Sequence, residues 1–75
     1  MSDPQLNNLI KMLDQIIANN LHYGDKVTDV AAEHLHRFWA RSMKQQIVAH
    51  ADQSPEELSE LARTTVIKMK SHTTR

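Results

Sequence analysis

The chain has 75 residues, with nine Lys and Arg balanced by nine Asp and Glu, and no cysteine. That length makes one small domain, which hides only about 60% of the surface its unfolded chain exposes. Without cysteine there is no disulfide, thiolate-held zinc or cysteine-ligated iron–sulfur cluster to staple it, and balanced charge creates no overall field for nucleic acid or an anionic membrane.

The opening MSDPQLNN lacks a basic segment followed by a long apolar run. No stretch approaches the roughly 18 apolar residues of a membrane span, so the expected location is cytoplasmic. One Gly and two Pro leave few turn punctuators, and strand signals are nearly absent. The expected fold is all-α, a small bundle of three to four helices forming a single domain over residues 1–75, with 71–75 frayed.

Asp3 and Pro4 resemble an N-cap and a first-turn proline. After them Leu6, Leu9, Ile10, Leu13, Ile16, Ile17 and Leu21 recur at three- and four-residue intervals, with Asn7, Lys11, Asp14 and Gln15 opposite. This spacing predicts a helix from 4 to 21. Gly24, the only glycine, is suited to the left-handed conformation that ends a helix. A second periodic run, starting near Lys26, uses Val27, Ala31, Leu35, Phe38 and Trp39 as core positions, with Asp29 and Glu33 facing away.

Beyond Trp39 the apolar positions become Met43, Ile47 and His50, which at about 100° per residue lie roughly a third of a turn from the earlier stripe. Either the helix kinks or restarts around Ala40 to Ser42, or it runs straight and meets different neighbours with its two halves. The triplet Ala-Arg-Ser contains no strong breaker, so both readings stay open. ADQSPEELSEL then predicts a helix start: Ser54 as N-cap, Pro55 at the first position and Glu57 completing a capping box. Leu58, Leu61, Ala62, Thr65, Val66 and Met69 give this last helix its apolar face, and Lys68 and Lys70 suit its negative end.

Five histidines raise the question of a metal. His34 and His36 are two apart, roughly 200° around a helix, and cannot share an ion without distortion. The remaining combinations, Glu33 with His36 or His36 with an acid from another helix, lack further ligands. No Gly-rich phosphate loop, activated serine or paired catalytic carboxylates occur, and so small a helical domain has little room for a cleft. No catalytic, cofactor-binding or metal-ligating residue is expected.

The segment HLHRFWARSMK, residues 34–44, holds the only Phe and the only Trp. Arg37, Arg41 and Lys44 would lie on one face of a continuous helix, flanked by His34. As a nucleic-acid interface this stripe lacks supporting cations on neighbouring elements, which are neutral or acidic. Trp, Phe, Met and Arg are also the residues enriched at protein interfaces, because they combine large buried area with bidentate hydrogen bonding. Phe38 is expected mainly in the core, Arg37 and Arg41 mainly at the contact, with Trp39 bridging the two. The candidate partner-binding set is His34, Arg37, Trp39, Arg41, Met43 and Lys44.

At HLHRFWARSMKQQIVAHA the chain resembles the delta subunit of soluble NAD-dependent formate dehydrogenases. The likeness covers LNNLIKMLDQIIANN and VAAEHLHRFWARSMKQQIVAH, most of residues 6–50, and His34, Arg37, Phe38, Trp39 and Met43 match the family's motif. After Phe-Trp that family usually has an acidic residue, proline and arginine, where this chain has Ala40, Arg41 and Ser42. Lacking the proline, a longer continuous helix is expected here.

The resemblance implies a noncatalytic subunit that supports assembly, stability or maturation of a molybdenum- or tungsten-containing complex. Its cofactor, iron–sulfur clusters and flavin would sit in other chains, and its partners would be the catalytic or diaphorase subunits, with self-association left open. The runner-up is a free-standing helical adaptor or regulator, binding nucleic acid through Arg37, Arg41 and Lys44.

Overall fold

Each helix forms where an apolar stripe recurs every three or four residues, and two of the breaks between helices place a large apolar side chain, Trp39 or Leu58, in the core. A computed structural model describes residues 4–73. Asp3, the expected cap of the first helix, lies outside them, as do Thr74 and Arg75. Among the described residues there are four α-helices and no strand, a small all-α bundle. None of those helices is long and apolar enough to cross a membrane.

Helix α1 spans Pro4–Asn19 and buries Leu9, Leu13 and Ile17, with Leu6, Ile10 and Ile16 packed partly against the same core. It stops just short of the predicted end because Asn20 caps it. The Asn20 side-chain amide donates to the Ile16 carbonyl at 2.7 Å, and its backbone N–H donates to Ile17 at 3.0 Å. The connector Leu21–Lys26 is short 3₁₀ structure kinked at Gly24, whose φ of 61° and ψ of −126° suit a residue without Cβ. The glycine thus bends the connector rather than ending α1.

Helix α2 (Val27–Phe38) buries Val27, Thr28, Ala31, Ala32 and Leu35. Trp39 and Ala40 are then extended, with ψ of 139° and 155°, and α3 begins at Arg41 and runs to Gln53. Of the two readings left open by the shifted stripe, the restart is what forms, and the longer continuous helix expected without a proline does not. The cause is tertiary. Trp39 continues the row Val27, Ala31, Leu35, whereas Ile47 faces a different direction along the same helix, and only a break lets both enter one core. The joint is tied by Trp39 N–H to the Leu35 carbonyl at 3.0 Å and by the Lys44 ammonium to the His36 carbonyl at 3.0 Å.

The capping box expected at Ser54 does not form. Ser54 N–H already donates to the His50 carbonyl at the end of α3, at 2.7 Å, so it is not free to donate to the Glu57 carboxylate. Glu57 Oε1 instead lies 3.1 Å from His50 Nε2. Pro55–Glu57 makes only a 3₁₀ turn, Leu58 is extended and buried, and helix α4 (Glu60–Thr73) starts later than predicted. Its cap is Ser59, whose Oγ accepts the Ala62 N–H at 3.1 Å.

The most extensive packing is between α2 and α4, where Ala31, Ala32 and Ala62 are fully buried and let the backbones approach. Thr65, Val66 and Met69 fill the same core, and Leu61 lies at its exposed edge. Lys68 locks the pair, donating to Thr28 Oγ1 at 2.9 Å and to Asp29 Oδ1 at 2.8 Å. Helix α1 packs against the other three.

Two serines therefore separate the predicted boundary from the observed one. Ser59→Ala should cost about 1 kcal/mol through loss of an N-cap, while Ser54→Ala should change stability by about 0.5 kcal/mol or less. Urea unfolding of both variants checks this, and the opposite ranking would place the start of α4 at Ser54.

Candidate functional site

Two adjacent rings at the end of α2 have opposite fates. Trp39 enters the core and is 6% exposed, while Phe38, expected in the core, is 71% exposed. Trp39 sits four residues past Leu35 and is enclosed by the core, whereas Phe38 ends α2 with its ring largely in solvent, an outcome set by what packs beside each ring and not by period. There its ring packs on His34 with centroids 4.8 Å apart.

Phe38 forms one wall of an open groove between α1 and the α2–α3 joint. Met12, Gln15 and Ile16 line it from α1, His34 and the edge of Trp39 from the joint's α2 side, and Met43 from α3. Met12, like Phe38, is a large hydrophobic residue left exposed. A lone imidazole and one amide are the polar groups in this lining, so no base is paired with a nucleophile as catalysis requires. Among the described residues no three His, Asp or Glu side chains gather as a metal ion would need.

The six candidate residues divide between this groove and the scaffold. His34 and Met43 line it, and Trp39 contributes its edge while its body fills the core. Arg37 is exposed but paired with Glu33 at 3.1 Å, one helical turn away. Lys44 is half-buried and spent on the His36 carbonyl. Arg41, in the first turn of α3, meets no acceptor among the described residues. Because the helix is broken between Arg37 and Arg41, the three cations do not form the single-helix stripe expected from their spacing.

Sequence reasoning missed the α1 wall. Met12 and Ile16 are three and four residues from their neighbours in the stripe, but Met12 falls off the buried face defined by Leu9, Leu13 and Ile17. An apolar residue on an otherwise amide-rich flank, with Asn8, Gln15 and Asn19, was the available signal.

A family model described as NADH-dependent formate dehydrogenase delta subunit matches residues 8–66. The matched stretch runs from the first turns of α1 into α4 and includes every residue of the groove. No curated protein and no solved structure matches the chain.

Exchanging the two rings for alanine tests the geometry. Trp39→Ala should destabilise the fold by roughly 3–5 kcal/mol, through lost transfer energy and a residual cavity, whereas Phe38→Ala should change it by about 0.5 kcal/mol or less. Chemical denaturation followed by circular dichroism reads both, and a larger loss at Phe38 would contradict the arrangement.

Proposed function

Because the chain belongs to the delta-subunit family of NADH-dependent formate dehydrogenases, we propose that it is a noncatalytic subunit of such a complex. In this reading it acts in the cytoplasm and supports assembly, stability or maturation of the subunit carrying a molybdenum or tungsten cofactor. Formate oxidation and its redox groups belong to the other chains. The absence of cysteine supports this, since iron–sulfur clusters are held by thiolates.

The observation that carries the binding role is the exposure of Phe38 beside Met12 and Met43. Burying a phenyl ring is worth about 1.5–3 kcal/mol, and a fold that spends its only Trp on the core while leaving its only Phe outside has that amount in reserve for a partner. Aromatic, Met and Arg side chains are those enriched at interface centres. What speaks for a protein partner over nucleic acid is that the cationic stripe is interrupted by the break at Trp39 and Ala40, with Arg37 paired to Glu33 and Lys44 bonded to the His36 carbonyl.

Reconstitution tests the reading. Formate dehydrogenase produced without this chain should show reduced cofactor loading or thermal stability, restored when the chain is supplied, and the purified chain alone should oxidise no formate. Full loading, stability and activity in its absence would contradict an accessory role.

A further inference from the structure

A second groove lies between α3 and α4 and shares no lining residue with the one beside Phe38. Ala51 and Asp52 line it from α3, and Arg63, Ile67 and Lys70 from α4. The three α4 positions are four and three residues apart and so stand on one side of that helix. Ile67, in the middle, is 63% exposed. Arg63 is half-buried, and no acceptor among the described residues meets its guanidinium, the side chain best fitted to a bidentate carboxylate. Roughly 10 Å further along the helix, Lys70 Nζ lies 3.9 Å from Asp52 Oδ2. That is beyond hydrogen-bond length, so Asp52 keeps acceptor sites for a second cation.

We propose that this groove pairs with the same groove of a second copy of the chain. A two-fold contact sets a patch against itself, and an axis passing beside Ile67 exchanges the two ends. Arg63 of each copy then faces Asp52 of the other, and the two Ile67 side chains cover one another. The lining itself selects this occupant. It asks for a carboxylate at the Arg63 end, a cation at the Asp52 end and an apolar group between, and the same groove turned through half a circle supplies all three. Nucleic acid would set phosphates against Asp52 and leave Ile67 uncovered. Nine Lys and Arg against nine Asp and Glu leave no net charge to hold two copies apart. Pairing through one groove belongs to the small interfaces, below about 1,200 Å² in total, so the dimer should dissociate on dilution. The proposal goes beyond the accessory-subunit reading, which stands or falls separately on reconstitution.

Sedimentation velocity of the full chain over a dilution series tests it, and the wild type should pass between monomer and dimer with concentration. Arg63→Asp and Asp52→Arg should each weaken the dimer at least about tenfold, because like charges then face each other across the axis. Both changes suit their helices, placing an acid in the first turn of α4 and a cation in the last turn of α3, where the dipoles favour them. Each variant should therefore keep the wild-type circular dichroism. Mixed in equal amounts, the two should dimerise with each other as the wild type does, since the exchanged charges match again at both contacts. If either exchange costs the fold, Ile67→Gln, at an exposed position, serves instead and should shift the chain to monomer. A wild type that is monomeric throughout or assembles beyond a dimer overturns the proposal. So do undiminished dimers in a folded charge variant or in Ile67→Gln, or a mixture of folded variants that stays monomeric.

Discussion

The indole of Trp39 needs a place in the core, and the helix cannot continue through it without carrying Ile47 out. Breaking the backbone at Trp39 and Ala40 resolves the conflict, and most of the surface follows from that step. The break follows directly on the exposed Phe38, creates the uncapped start of α3, and leaves the His36 carbonyl for Lys44 to satisfy. A groove with an aromatic wall lies beside this joint, with the edge of the buried ring in its lining. Trp39 supports the binding surface from beneath, and Phe38 is what that surface presents.

The second joint uses the same device. Leu58 is extended and buried between the 3₁₀ turn and α4, just as Trp39 is extended and buried between α2 and α3. A domain this small has few core positions, and placing a large apolar residue at each joint lets the connections contribute to the core instead of merely crossing its surface. Between the joints, α2 and α4 pack through small side chains and are locked by the Lys68 contacts to Thr28 and Asp29. With α2 so fixed, the position of Phe38 is fixed too.

Local signals were legible in the sequence, and tertiary ones were not. The stripes Leu9, Leu13, Ile17 and Val27, Ala31, Leu35 follow from period alone, and so does the all-α class. The break was visible only as a change of face after Trp39, because Ala40, Arg41 and Ser42 carry no breaker and its cause is a core formed by distant residues. Ser54 and Glu57 imitate a capping box convincingly, but the Ser54 N–H is claimed by the end of α3, and the working cap lies at Ser59. Phe38 and Trp39 flank the same stripe, so periodicity could not say which ring goes in. For the groove, His34 and Met43 were within reach of composition and spacing, whereas Met12 required knowing that α1 passes beside the joint. The delta-subunit relationship was carried by the residues around Phe38 and Trp39, and the family match extends it over residues 8–66.

The central claim is that Trp39 is a core residue and that its burial sets the break. It is the only tryptophan, so fluorescence excited beyond the tyrosine absorption band reports on it alone. The native chain should emit at short wavelength and resist collisional quenching by acrylamide, with both properties lost together in a single urea transition. Native emission as red-shifted and as readily quenched as that of the unfolded chain would place Trp39 in water and contradict the account.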